Sequence, residues 1–131
     1  MNHNARVFLV LGAINSMLAI ILGAFGSHIL EMTLTDKMLS TFQVGVDYQF
    51  YHSLALILTG ITAQQLRDSL ICISGWLFFI GIFIFSGSLY VISLTGITAV
   101  GVITPIGGIL WILAWALFAL AALKNGRTRV M

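Results

Sequence analysis

The stretch GVDYQFYHSLALIL, residues 45–58, combines an apolar run long enough to enter a membrane with three polar side chains. Asp47, Gln49 and His52 lie within its first eight residues, where lipid hydrocarbon would offer them no hydrogen-bond partner. Polar side chains in such a run need partners from the protein itself. We therefore expect the other hydrophobic segments to pack around this stretch.

The composition of the whole chain is that of an integral membrane protein. Of its 131 residues, 60% are hydrophobic and 8% are charged, with a mean hydropathy of +1.07, whereas soluble domains carry about 25% charged residues. A membrane span needs about 20 mostly apolar helical residues. The charge-poor runs predict an all-α fold, a bundle of four transmembrane helices that forms one domain over residues 1–131. The spans are expected at about 7–27, 45–64, 70–94 and 104–123.

An amphipathic extension is predicted before the second span. Thr33 or Thr35 is placed to cap a helix whose first turn contains Asp36. Apolar side chains, including those of Met38 and Phe42, then share one face. Since no Gly/Pro pair interrupts the segment, we expect a continuous helix over about 35–63.

Small residues at helical spacing indicate where helix backbones approach closely. They occur in the first, third and fourth spans, as Gly12, Ser16, Gly23, Gly26, Gly87, Gly107 and Gly108. Asn15 borders the small face of the first span, where an interhelical hydrogen bond is expected. Trp111 and Trp115 lie too deep for an interfacial belt, so they are predicted to pack inside the bundle.

The distribution of basic residues predicts the orientation. Four spans place both termini and the turn at 64–69 on one side. That side contains five basic residues, Arg6, Arg67, Lys124, Arg127 and Arg129, against Lys37 alone on the other. The positive-inside rule then places both termini in the cytoplasm. Because these charges cluster at span ends without interleaved aromatic residues, no nucleic-acid partner is expected.

Four motifs resemble the YgdD family of small bacterial inner-membrane proteins. They are LGAFGSH at 22–28, YQFYHSLAL at 48–56, SGSLY at 86–90 and ITPIGG at 103–108. Ser27 and Ala114 depart from the family pattern, in each case by exchanging one small residue for another. The resemblance implies a four-helix membrane protein and brings no established reaction with it.

Polar residues in the outer half of the predicted bundle form the candidate site. Their common depth and inward-facing positions predict one polar cluster or binding site made of His28, Asp47, Tyr48, Gln49, His52, Ser86, Ser88 and Thr104. The favoured interpretation is a structural, accessory or lipid-binding membrane protein whose partners are membrane lipids, further copies of itself or a larger membrane complex. No metal and no cofactor are predicted.

Three other interpretations stay open. His52 and its neighbours would suit a small transporter or a proton or ion relay, because histidine titrates near neutral pH. His28 and His52 are the two histidines that a haem or metal site would use, although counting along the helices separates them by about 12 Å. Ser86 or Ser88 with His52 and Asp47 would imitate a catalytic triad, but no catalytic motif accompanies them, and no enzyme is predicted. Cys72, the one cysteine, is expected to be a small buried apolar residue.

Overall fold

The structure, a computed structural model, describes residues 1–128, with side chains as far as Gly126. Four long helices make up most of it: α1 (His3–Leu30), α2 (Asp36–Gln65), α3 (Ser69–Thr95) and α4 (Thr104–Thr128). A short 3-10 helix, Thr98–Val102, lies between α3 and α4. Residues 1–128 contain no β-strand, which confirms the all-α prediction for this part of the chain. Arg129, one of the predicted topology signals, lies outside the described residues.

Local sequence explains where these helices begin and end. The side chains of Asn2, Thr35 and Asp68 cap α1, α2 and α3 by accepting hydrogen bonds from backbone N–H groups in the first turn. Pro105 lies in the first turn of α4, where its missing N–H costs nothing. Gly96 ends α3 in a left-handed conformation, with φ of 74°, that favours glycine.

Three of the four helices, α1, α3 and α4, are long and apolar enough to cross a membrane. The helix α2 is not among them, since polar residues such as Asp47, Gln49 and His52 interrupt its apolar run. It is nevertheless one uninterrupted helix from Asp36 to Gln65, in agreement with the predicted continuous helix. The polar stretch at 45–58 therefore lies in the middle of a 30-residue helix.

Consecutive helices run antiparallel. The backbone N–H of Asn2 donates to Gln64 Oε1 at 2.9 Å, which joins the start of α1 to the end of α2. Ser86 Oγ donates to the Gly45 carbonyl at 2.7 Å between α3 and α2. Ser74 Oγ donates to the Ala114 carbonyl at 2.7 Å between α3 and α4. We call the end that contains Asn2, the turn at 66–68 and Lys124 the proximal end, and the opposite end the distal end.

Because the helices alternate in direction, α1 and α3 are parallel, and both begin at the proximal end. Asn4 Nδ2 donates to Cys72 Sγ at 3.2 Å near their starts. One turn further on, the Phe8 ring packs against Gly75 and contacts the Trp76 ring edge-on, with centroids 5.4 Å apart. The four long helices of the described chain thus alternate in direction.

The core of the bundle begins at the proximal end with small residues. Ala5, Ala63, Ile71 and Ala121, one from each long helix, form a buried cluster there. Larger side chains follow towards the middle, where Phe8, Leu56, Phe78 and Trp111 form the main core. Three of these four residues are alanines, which let neighbouring helices pack closely at the proximal end.

Asp68 holds the turn between α2 and α3 to the end of α4. One carboxylate oxygen accepts from the Leu70 N–H at 2.9 Å, and the other accepts from Asn125 Nδ2 at 2.9 Å. Lys124 Nζ lies 3.4 Å from the same carboxylate. The hydrogen bond from Leu70, followed by those from Asn125 and Lys124, lowers the pKa of Asp68. The proximal end is therefore held by polar contacts as well as by packing.

Both parallel helices contain one widened turn, which the sequence did not predict. Residues Ile21–Gly26 of α1 and Ile82–Ser86 of α3 adopt π-helical hydrogen bonding. An extra residue per turn changes the direction in which the following side chains point, and such turns are frequent at functional sites. Both lie in the distal half of the bundle.

Candidate functional site

The eight predicted site residues have different neighbours in the structure and do not form one group. Gln49 belongs to one hydrogen-bonded group, His52 and Tyr48 belong to an aromatic group, and the three hydroxyl residues join helices. The remaining two, His28 and Asp47, are exposed. The predicted common depth is therefore not accompanied by one common pocket.

Gln49 is buried between three helices. Its Nε2 donates to the backbone carbonyl and to Oδ1 of Asn15, both at 3.4 Å. Its Oε1 accepts from the Tyr90 hydroxyl at 2.5 Å. The chain Asn15–Gln49–Tyr90, which we call the polar floor, thus connects α1, α2 and α3. The hydrogen bond expected at Asn15 is confirmed, and its partner is Gln49.

His52 is also buried, but its partners belong to α2 and α4. Its Nδ1 lies 2.9 Å from the Tyr48 carbonyl, and its Nε2 lies 3.4 Å from the indole N–H of Trp115. Since the carbonyl only accepts and the indole only donates, these contacts require a neutral imidazole with its proton on Nδ1. The ring also stacks on Trp111, with centroids 3.7 Å apart and 2° between the planes.

The aromatic group around His52 fixes its orientation. Tyr48 stacks on Trp111 at 6.0 Å and 11°, and the Trp111 indole donates to the Phe78 carbonyl at 3.1 Å. Trp111 is buried as predicted, whereas Trp115 is 42% exposed. A proton relay through His52 would have to break one of its two hydrogen bonds, because both ring nitrogens already have protein partners.

The three hydroxyl residues hold helices together. Ser86 bonds to the Gly45 carbonyl, and Ser88 donates to the Phe85 carbonyl at 2.8 Å while its Oγ lies 2.5 Å from Thr104 Oγ1. The described contacts therefore place neither serine hydroxyl on His52, as a nucleophile and its base would be.

No hydrogen bond described for residues 1–126 joins the exposed pair to these groups. His28 is 86% exposed in its side chain and has Glu31 3.9 Å away, whereas His52 is enclosed by aromatic rings. Asp47 borders a small surface depression with Ala19 and Tyr51. Within residues 1–128, no group of three or more His, Cys, Asp or Glu side chains is placed to hold a metal ion.

The predicted small packing residues also fall into classes. A Cβ built on Gly12 would lie 2.8 Å from the Ser53 carbonyl oxygen, one on Gly23 2.9 Å from Val46, and one on Gly107 2.6 Å from the Phe85 nitrogen. These are close helix contacts, and Ser16 adds a 2.8 Å hydrogen bond to Ser53.

Gly26 and Gly108 have only ordinary van der Waals contacts, whereas a Cβ on Gly87 would meet nothing within 4 Å. Gly87 therefore differs from its predicted packing role. It lines an open space.

That space is a groove of about 410 Å³ between α1 and α3, lined from Leu11 to Leu22 of α1 and from Phe79 to Tyr90 of α3. Its bottom is formed by the polar floor and its walls are apolar. Each widened turn contributes two residues to the walls, Ile21 and Leu22 from α1 and Ile82 and Phe83 from α3. Ile21 and Phe83 are exposed, so the groove opens towards the surroundings of the bundle. Its volume lies within the range of about 300–1,000 Å³ of small-molecule sites.

Sequence reasoning identified Gln49 but did not assign Tyr90 or Asn15 to its site. The signal was present in each case, because an Asn in an apolar helix and a Tyr beside small residues both need hydrogen-bond partners. The sequence pattern did not show that a groove separates α1 from α3 beside these residues. A second cavity, of about 300 Å³, lies at the proximal end beside Asn2, Asp68 and Cys72, whose polar atoms hold helix ends together.

Comparison with known proteins places this architecture in a family. Residues 22–108 match the family model described as "Protein of unknown function (DUF423)". The chain belongs to this DUF423 family. The matched region contains α2, α3 and the groove residues from Leu22 onwards, while Asn15 precedes it.

Curated relatives of similar length support the assignment. The UPF0382 membrane protein YwdK of Bacillus subtilis is 46% identical over 120 residues, which cover 91% of this chain and 98% of the relative. The UPF0382 membrane protein SERP0230 of Staphylococcus epidermidis is 44% identical over 119 residues, covering 91% and 97%. No solved structure matches the chain. The protein is thus an integral membrane protein of a family without an assigned activity.

Proposed function

We propose that this DUF423 protein crosses the bacterial inner membrane four times and binds lipid in the groove between α1 and α3, without catalysing a reaction. The four motifs quoted above further suggest kinship with the YgdD family. The polar floor beneath apolar, outward-open walls is the observation that supports lipid binding. A site of this form suits a molecule that is mostly apolar and carries one polar group.

The direction of the helices supports the fourth span. If α1 and α3 both cross and both begin at the proximal end, the chain must return across the membrane between residues 31 and 68. The helix α2 is long enough, since 30 residues at 1.5 Å each extend about 45 Å. Its polar side chains Gln49 and His52 bond within the protein, and exposed positions such as Leu54, Leu58 and Ile61 are apolar. The first turns of α2, before Gly45, then form the amphipathic extension outside the hydrocarbon.

Charge supports cytoplasmic termini. Arg6, Arg67 and Lys124 lie at the proximal end, and Arg127 and Arg129 follow in the sequence. Towards the distal end, Lys37 accompanies the carboxylates of Glu31, Asp36 and Asp47. An excess of Lys and Arg marks the cytoplasmic side.

Cysteine labelling in whole cells tests the topology. In a Cys72→Ala background, Lys37→Cys should react with a membrane-impermeant maleimide in intact cells, and Arg67→Cys only after permeabilisation. If both positions react from the same side, α2 does not cross. If residue 67 alone reacts in intact cells, the orientation is reversed.

Native mass spectrometry from mild detergent tests lipid binding. Gly87→Leu should remove bound lipid, because the leucine side chain would occupy the groove. A Cβ at this position meets no atom within 4 Å, so the substitution should not disturb the fold. Ala13→Leu is the matched control, since it adds the same side chain at an exposed position of α1 outside the groove. Equal lipid occupancy in the wild type and both variants would refute the proposal. The same spectra report whether the protein is a homo-oligomer or a subunit that needs other partners.

A further inference from the structure

We propose that the groove selects an uncharged lipid alcohol of the diacylglycerol class, with its hydroxyl group on the polar floor. This inference rests on the lipid-binding function proposed above and specifies its ligand. It follows from three properties of the groove, namely its unused hydrogen-bonding capacity, its charge and the way its walls open.

The polar floor has one donor and one acceptor to spare. Asn15 Nδ2 donates one of its two hydrogens to the Leu11 carbonyl at 2.9 Å. The Tyr90 hydroxyl uses its hydrogen on Gln49 and can still accept. Within the described part of the chain, no contact uses these two positions. A hydroxyl group complements both, because it accepts from an N–H and donates to an oxygen at once, whereas a quinone carbonyl can only accept.

Charge excludes an anionic head group from the floor. The groove is lined by no charged side chain, and Gln49 is only 4% exposed, so a phosphate placed there would be buried without a cation. The distal end adds repulsion, since three carboxylates, on Glu31, Asp36 and Asp47, accompany the single ammonium group of Lys37.

The walls suit acyl chains that leave the site sideways. The widened turns of α1 and α3 both face the groove, and Gly87 leaves its wall without a side chain. The exposed rim residues Ile14, Ile21 and Phe83 are apolar. Acyl chains can therefore extend from the floor into the membrane, while the hydroxyl group stays between Asn15 and Tyr90.

The test is competition between three lipids in native mass spectrometry. Delipidated protein in detergent is mixed with equal amounts of diacylglycerol, phosphatidylglycerol and an isoprenoid quinone. The expected result is a predominant diacylglycerol adduct. Tyr90→Phe keeps the ring and removes the accepting oxygen, and it should lower diacylglycerol occupancy by about three-fold to ten-fold, as the loss of one hydrogen bond predicts. Tyr51→Phe, at an exposed tyrosine outside the groove, is the matched control and should change nothing.

The possible failures are distinguishable. Equal binding of the quinone and diacylglycerol, lost in Gly87→Leu but unchanged in Tyr90→Phe, would overturn the head-group inference and leave the lipid groove standing. A preference for phosphatidylglycerol would overturn the charge argument in the same way. Binding of all three lipids that persists in Gly87→Leu would overturn the groove itself. Thermal unfolding of each variant in the same detergent shows whether it is folded.

Discussion

The two halves of α1 differ in how closely neighbouring helices approach. In the proximal half, Gly12 lies directly against the α2 backbone, and the Phe8 ring fills the space above Gly75 of α3. Towards the distal end, α1 keeps its contact with α2 through Gly23, but a groove that begins at Leu11 separates it from α3. Both halves of α1 are apolar and contain glycine, Gly12 in the first half and Gly23 and Gly26 in the second. The difference lies in the contacts between α1 and α3. The Phe8 ring of α1 fills the space at Gly75 of α3, whereas no side chain fills the space at Gly87 of α3.

The largest expected difference between the halves is the response of their glycines to alanine. Gly12→Ala would place a Cβ 2.8 Å from the Ser53 carbonyl oxygen and 2.9 Å from the Ile57 nitrogen. Backbone atoms in a packed helix cannot move away cheaply, so the variant should lose about 1–3 kcal/mol of stability. Unfolding in detergent, followed by circular dichroism during heating or SDS titration, measures the loss.

Gly87→Ala is the matched change in the open half. It meets nothing within 4 Å, and alanine favours helix over glycine by up to about 1 kcal/mol. This variant should therefore be as stable as the wild type or more stable. If the two variants lose equal stability, the proposed contrast between a closed and an open half is wrong.

A smaller loss of stability is expected on substitution of Trp111, the buried tryptophan of the main core. Trp111→Phe keeps an aromatic ring beside His52 but loses the hydrogen bond to the Phe78 carbonyl. The expected loss is about 1 kcal/mol, as for one buried hydrogen bond. Trp115→Phe is the comparison, since its hydrogen bond to His52 is 3.4 Å long and its ring is partly exposed. A Trp115 variant that is less stable than the Trp111 variant would contradict this ranking.

The smallest effect concerns the polar contacts that close the proximal end, and it depends on pH. Hydrogen bonds from Leu70 and Asn125 and the Lys124 ammonium lower the pKa of Asp68 in the folded protein below its ordinary value of 3.8. The stabilisation is therefore complete above the unfolded pKa and is lost as pH falls through the folded pKa. Wild-type melting temperatures should begin to fall below about pH 4.

Asp68→Asn removes this titration while retaining a side chain that can cap α3. Its melting temperature should be lower than that of the wild type at pH 7, and the difference should shrink as pH falls below about 4. A difference that stays constant between pH 7 and pH 3 would show that the ionised carboxylate does not stabilise the proximal end.

Much of the fold was predictable from the sequence. The helical runs, the continuous α2 and the hydrogen bond at Asn15 follow from length, hydropathy and the need of buried polar groups for partners. The sequence could not show that the residues of the predicted polar cluster have different partners. Residues at one depth can point in different directions around their helices, and Gln49 and His52 bond to different neighbours although they are three residues apart. Depth comes from counting residues, whereas direction depends on which helices are adjacent.

The sequence by itself determined that this is an all-helical membrane protein with most of its charge at the helix ends, because hydrocarbon tolerates little else. It also showed that Gln49 and His52 need partners within the protein. Only the tertiary structure decided that Asn15 and Tyr90 join Gln49, that His52 stacks on Trp111, and that Gly87 faces a groove. These outcomes depend on which helices are adjacent and on the directions in which their side chains point. Such features arise from packing between helices and leave no periodic trace in the sequence of either one.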